Sequence, residues 1–306
     1  MLIYIARRLL AGIPVLIGVS LITFILMHIV PGDPVTAAMD KRADAATIAR
    51  LRKEMGLDRP LVIQYFEFVG KAAVGDLGES FRSRRPVGET IMEALPMTAR
   101  VAGSAMLVAL LIGIPFGTAA ALRKNSFIDY MSTVTTLSFI SAPVFWVALL
   151  AQLLFGLQLR WLPISGYQGP IYLILPAMVL GTRYAASIAR YTRASMLEVL
   201  NQDYVRTARA KGVGERFVIW KHALKNALVP LLTVIGLEIG GLMTGSILTE
   251  SVFGLPGVGR ITIQAIQYRD FPMIEGTVLF TAVVFVVANL LVDISYSLVD
   301  PRIRMA

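Results

Sequence analysis

Six apolar stretches, at 9–30, 101–122, 131–157, 171–189, 228–252 and 276–298, constrain this chain more than anything else in it. Each is near the ~20 residues that carry a helix across a hydrocarbon core. Inside lipid every backbone N–H and C=O must be satisfied within the protein, so runs of this length predict transmembrane helices. A composition that is 56% hydrophobic and only 16% charged agrees. The expectation is an all-α membrane protein with six spans.

The first run follows Arg7-Arg8 and exceeds the ~7–15 residues of a signal-peptide core, and no small-residue cleavage site follows it. It is therefore expected to stay as a span, which puts both termini on one side. Lys and Arg beside the spans number fourteen on the side of the termini and three on the other, Arg160, Arg260 and Arg269. The positive-inside rule makes the richer side cytoplasmic. The predicted organisation is a cytoplasmic N-terminus at 1–8, a first span at 9–30 and an extracytoplasmic loop or lid at 31–100. A core of spans two to six at 101–298 follows, containing a cytoplasmic loop at 190–227 and an outer loop at 251–275, then a cytoplasmic C-terminus at 299–306.

Within 31–100, Pro31-Gly32-Asp33-Pro34 should stop the first helix, and Ile48, Leu51 and Met55 repeat at helical spacing. The segment 61–69 continues as apolar helix. The outer sequence Phe253-Gly254-Leu255-Pro256-Gly257-Val258-Gly259 has no preceding strand and no following Lys-Ser or Lys-Thr, so it reads as a turn into a short helix at 260–268. No P-loop, H-E-x-x-H or G-x-S-x-G occurs, and no catalytic constellation is visible. Cysteine is absent, which excludes disulfides, and the two histidines, His28 and His222, read as structural, so no metal site is predicted. The net charge of +9 follows topology; no stripe of Lys or Arg interleaved with aromatics appears on a soluble domain to suggest nucleic acid.

Arg183, Glu238 and Asp293 are ionisable residues inside spans, where each costs ~2.5–3.5 kcal/mol at the helix centre and so faces protein or water. Glu238 is assigned to the central pathway or its inner gate, with Arg183 as a counter-charge at similar depth; a purely structural buried pair is the other reading. Gly236, Gly240, Gly241 and Gly245 form two small-xxx-small pairs in span five, suited to close helix packing. Prolines 14, 115, 143, 176 and 230 predict kinks.

The segment Tyr204 to Leu228 is a basic amphipathic block inside this apolar chain. Asp203 is placed to cap a short helix, Gly212 to end it in a left-handed turn, and a second helical run leads from Glu215 back into span five. Ala208, Ala210 and Gly212 offer a compact surface for a soluble protein to grip.

Arg206-Thr207-Ala208, three residues, then Gly212 resembles the coupling loop of permease subunits in ATP-binding-cassette importers, where Glu-Ala-Ala precedes the glycine by the same spacing. Arg206 at the Glu position and Lys225 where the general pattern has Pro look like the dipeptide/oligopeptide/nickel branch. So do Arg7-Arg8-Leu9, Pro31-Gly32-Asp33-Pro34, Gly56-Leu57-Asp58, Gly75-Asp76-Leu77-Gly78, Glu250-Ser251-Val252-Phe253, Pro256-Gly257-Val258-Gly259 and Asp300-Pro301-Arg302. The resemblance implies the type I importer permease fold in a bacterial inner membrane and transport of peptides or peptide-like solutes such as glutathione. It implies a second homologous permease, two cytoplasmic ATPases that bind ATP and Mg, and an extracytoplasmic solute-binding protein, this chain binding no cofactor itself. Arg206, Thr207, Ala208, Lys211 and Gly212 would then sit in a groove on an ATPase. A rival of a different class is a self-sufficient ion-coupled secondary transporter, which suits three intramembrane charges and leaves the basic block unexplained.

Overall fold

The computed structural model describes residues 2–29, 35 and 45–299. The turn at Pro31-Gly32-Asp33-Pro34 and the motif at Asp300-Pro301-Arg302 lie outside the described residues, as do the surroundings of Gly245 and the side chain of Asp293. Those described form helices α1 (Leu2–Ile29), α2 (Ala45–Glu54), α3 (Leu61–Ala73), α4 (Val87–Leu122), α5 (Phe127–Ser141) and α6 (Val144–Ala151). They continue as α7 (Ile171–Leu200), α8 (Asp203–Ala210), α9 (Lys225–Gly245), α10 (Ile247–Val252), α11 (Val258–Tyr268) and α12 (Phe271–Val299). Two wider π segments, Gln152–Gln158 and Val218–Leu224, extend α6 and precede α9. Among the described residues there is no β-strand, only an isolated bridge between Glu79 and Pro86.

Five stretches are long and apolar enough to cross a membrane: Ile5–Ile29, Val87–Leu122, Ile171–Leu200, Glu215–Leu242 and Phe271–Val292. The sixth apolar run is a broken span, α5 followed by α6 and its π extension, bent by 100°. Pro143 causes the break. A residue before proline is forced out of the helical region, and Ala142 is extended at φ −72°, ψ 131°. The second span also differs from expectation, because α4 starts at Val87, well before the apolar run begins at Val101.

The chain divides into two compact units. One comprises Met1–Thr98 and Pro256–Val287. Its core is Val87, Ile91, Ala94, Val258, Ala265, Met273 and Ile274. The absent side chain of Gly276 leaves room for Val87 and Leu77, and a Cβ on Gly12 would stand 2.8 Å from Val286. The carboxylate of Asp270 accepts bonds from the Ser80 hydroxyl at 2.5 Å and the Phe81 N–H at 2.9 Å, pinning the loop before α4 to the start of α12. α3 lies along the flank of α1: Tyr65 hydrogen-bonds Ser20 at 3.0 Å and meets Phe24 edge-on.

The other unit comprises Ala99–Leu255 and Ala288–Ala306. α7 packs against both α5 and α9. It also crosses α4 at glycines, where the backbones touch. A Cβ on Gly113 would stand 2.8 Å from the Ala185 carbonyl oxygen, one on Gly181 would stand 2.7 Å from that of Ala105, and one on Gly117 would collide with that of Ala189. This is the small-residue crossing that membrane helices use where apolar burial gives no drive to associate. It involves Gly-x-x-x-Gly in span two, which the sequence reading did not single out. Span five packs differently: Gly236 receives the side chain of Val292, Gly240 is buried, and a Cβ on Gly241 would lie 3.5 Å from the Tyr184 hydroxyl.

Two polar devices lock this unit. Arg193 donates twice to Asp129, from Nε at 2.6 Å and Nη2 at 2.7 Å, joining α7 to the start of α5. Asp129 is 5% exposed and also accepts the Asn125 N–H, so its ionised oxygens are satisfied on burial. Gln152 donates its amide to the carbonyls of Ile164 and Val252, and Gly166 N–H bonds Phe253, which ties the segment after the π turn to the end of α10.

Candidate functional site

The basic block folds into a hairpin whose two arms are α8 and the turn Glu215–Phe217 with its π continuation. α8 ends in a Schellman motif. Gly212 N–H bonds Arg209 O at 2.9 Å, Val213 N–H bonds Ala208 O at 3.2 Å, and Gly212 takes φ +75°. Both bonds satisfy carbonyls that a helix end otherwise leaves orphaned, and the positive φ suits glycine, which has no Cβ to clash. Val213 packs beside Ala208 in the small core of Val205, Ala208 and Val218, the apolar contact that accompanies this motif. Arg209 clamps the turn from outside by donating to both oxygens of Glu215, at 3.1 and 2.7 Å, which holds its guanidinium above the ordinary arginine pKa.

Two readings of this block need correction. Asp203 does not cap α8: Gln202 occupies the cap position without a side-chain bond, and Asp203 is the first helical residue, its carboxylate exposed 3.8 Å from Arg206. A pair so exposed adds at most about 1 kcal/mol. Ala208 does not offer outer surface. It is 8% exposed and sits three residues after Val205, on the helix face turned toward Val218. Arg206, Thr207, Lys211 and Gly212 are exposed on the other side. Ala208 therefore holds α8 in place while those four face outward.

The hairpin is anchored to the ends of long helices. Ala223 and Leu224, at the close of the π segment, and Ala227 pack with Ala121 of α4 and Met196 of α7. Tyr204 accepts a bond from the Asn226 side chain at 3.0 Å, which ties the start of α8 to α9. Tyr204, Phe217 and Trp220 are large, exposed aromatics around the hairpin, with Lys221 lying 4.6 Å above the Phe217 ring. Their aromatic spacing inside a basic block was the available signal for Phe217 and Trp220, which charge counting passed over.

The structure does not bring Arg183 and Glu238 together as an ion pair among the described residues. Glu238 Oε1 accepts a 2.7 Å bond from Ser187, one turn beyond Arg183, while Arg183 is exposed. Equal depth along two helices does not fix which faces meet. Among the described residues no group of three or more His, Asp or Glu is poised to hold a metal.

Long apolar helices that carry an exposed, glycine-closed hairpin at their ends fit a membrane permease. The sequence comparisons agree. The profile described as Binding-protein-dependent transport system inner membrane component matches residues 113–305, and its N-terminal companion matches residues 1–102. The dipeptide transport system permease protein DppB of Alkalihalophilus pseudofirmus is 43% identical over 99% of this chain and 100% of its own length. The di/tripeptide transport system permease protein DppB of Pseudomonas aeruginosa is 42% identical over 99% of each chain, and the glutathione transport system permease protein GsiC of Escherichia coli 41% over 99% of each. A crystal structure of an amino acid ABC transporter with histidines shares the fold, with TM-score 0.51 and 20% identity over 70% of this chain and 94% of its own. The chain belongs to the binding-protein-dependent transport system inner membrane components, and it is a permease subunit of an ABC importer.

Proposed function

We propose that this chain forms half of a translocation pathway for short peptides or peptide-like solutes and that the hairpin around Gly212 is where cytoplasmic ATPases drive it. The observation that carries the coupling role is the exposed hairpin, rigid at its Schellman turn and anchored through Ala223, Leu224 and Ala227 to the ends of α4 and α7. A push on α8 is thus delivered to two long helices. The named substrates of the relatives, dipeptides, di/tripeptides and glutathione, all contain peptide bonds and support the cargo class.

In this reading the termini and the hairpin are cytoplasmic. A second homologous permease completes the path, two ATPases bind ATP and Mg, and a soluble binding protein delivers solute outside. The chain itself is not catalytic. Arg206, Thr207, Lys211 and Gly212 meet the ATPase, Ala208 positions them, and ATP-driven closure shifts the bundle only through contacts that differ between its states. Glu238, its carboxylate held by Ser187, faces the pathway.

The test is uptake of labelled dialanine into liposomes holding this chain with its partner permease, ATPases and binding protein. Uptake is expected to require ATP on the ATPase side and to be reduced by competing tripeptide. ATP-independent uptake by the permeases alone, driven by an ion gradient, overturns the reading in favour of a secondary transporter.

A further inference from the structure

In the unit containing α1, α2, α3 and the start of α12 lies a cavity of about 470 Å³ that the coupling mechanism does not use. Its size falls within the range of ~300–1,000 Å³ typical of small-ligand sites. Glu275 lines it and is only 8% exposed, yet among the described residues no hydrogen bond or ion pair reaches its carboxyl group. Burying an ionised carboxylate without a partner is costly, so the group calls for a donor or a cation.

His28, also in the wall, presents a second unmet acceptor. Its Nδ1 lies 2.8 Å from the Phe24 carbonyl oxygen. A carbonyl only accepts, so Nδ1 carries the proton, and a neutral ring leaves Nε2 as a bare lone pair. Nε2 is buried and has no hydrogen-bond partner among the described residues. The two acceptors come from paired helical positions, Phe24 with His28 on α1 and Phe271 with Glu275 on α12, four residues apart and hence on one face of each helix. The rings of His28 and Phe271 are 5.5 Å apart.

We propose that this cavity binds the primary ammonium group of a small zwitterion, with Glu275 as its counter-charge and His28 Nε2 as a further acceptor. An ammonium supplies three donors to groups that only accept, and the faces of Phe24 and Phe271 attract an organic cation. Lys71 and Arg84 line the same cavity and suit the carboxylate at the other end of the solute. Of the other acidic groups in the wall, Glu54 pairs with Arg50, Glu67 with Arg59 and Asp76 with the Gly78 N–H, while Glu79 is exposed to solvent, which leaves Glu275 as the buried carboxyl group facing the cavity. Naming the zwitterion a short peptide rests on the function proposed above; the ammonium site itself does not.

Calorimetric titration of the assembled transporter in nanodiscs, without binding protein, tests this with dialanine, N-acetyl-dialanine and ethylammonium. Dialanine is expected to bind, N-acetyl-dialanine not to, and Glu275→Gln to weaken dialanine by about tenfold or more, the loss of one charge-assisted contact. Thermal unfolding of Glu275→Gln should match or exceed wild type, because the substitution removes a buried carboxyl group without a partner, and a melted variant is replaced by His28→Gln. If ethylammonium binds in a Glu275-dependent way and dialanine does not, the site stands and the peptide reading falls. If dialanine is transported but its binding ignores both the acetyl group and Glu275→Gln, or if no probe binds, the site is refuted.

Discussion

Gly212→Val will uncouple ATP hydrolysis from transport while leaving the permease folded in the membrane. Nothing in this chain lies within 4 Å of a Cβ built on Gly212, so within the permease the substitution meets no steric neighbour and acts through the backbone. Its φ of +75° costs a non-glycine residue about 1–2 kcal/mol and a β-branched one more. A penalty of that size shifts the population of the closed turn about tenfold or more, and both Schellman bonds are lost with it. Uptake should fall by about that factor while ATPase activity persists, measured side by side in the same proteoliposomes. Gly212→Asn, a residue that tolerates the left-handed region, should keep most of the coupling.

Gly117→Val should act on the bundle itself. Its Cβ would collide with the Ala189 carbonyl and lie 2.7 Å from Thr192 Cβ, and backbone does not yield as a side chain can. Overpacking of this kind costs about 1–3 kcal/mol even where side chains can move, so a crossing of two backbones should lose at least as much. The expected result is near-complete loss of monodisperse protein on size-exclusion chromatography. By contrast Gly103→Val, where nothing lies within 4 Å of the Cβ, should purify normally.

Much of the fold was legible because apolar run length is a direct demand of the bilayer. Run length reports lipid contact, however, not helix length. Glu89, Glu93 and Arg100 interrupt the hydropathy ahead of span two without interrupting α4, which begins at Val87. Pro143 was readable as a bend, but its size depends on Ala142 leaving the helical region. At the site, Gly212 was legible because its conformation is a local backbone demand. The inward turn of Ala208 was also written in its three-residue spacing from Val205, obscured by treating small residues as surface. Arg183 and Glu238 illustrate a different limit. Rise per residue gives depth, whereas the bond from Ser187 to Glu238 depends on rotation about both axes, which packing decides. Likewise Gly113 and Gly117 were visible as a motif, but only the path of α7 makes them a crossing.

The natural chain has no cysteine, so a single one placed on α8 reports on one position alone. Thr207→Cys puts a thiol on the exposed face of the hairpin, in a residue whose hydroxyl donates to Asp203 O of its own helix. In the assembled importer, a short bifunctional cross-linker should join this cysteine to an ATPase subunit, with a yield that changes when ATP is trapped. Cross-linking exclusively to lipid or to the partner permease, in a preparation whose uptake still requires the ATPases, would contradict the hairpin as the coupling element.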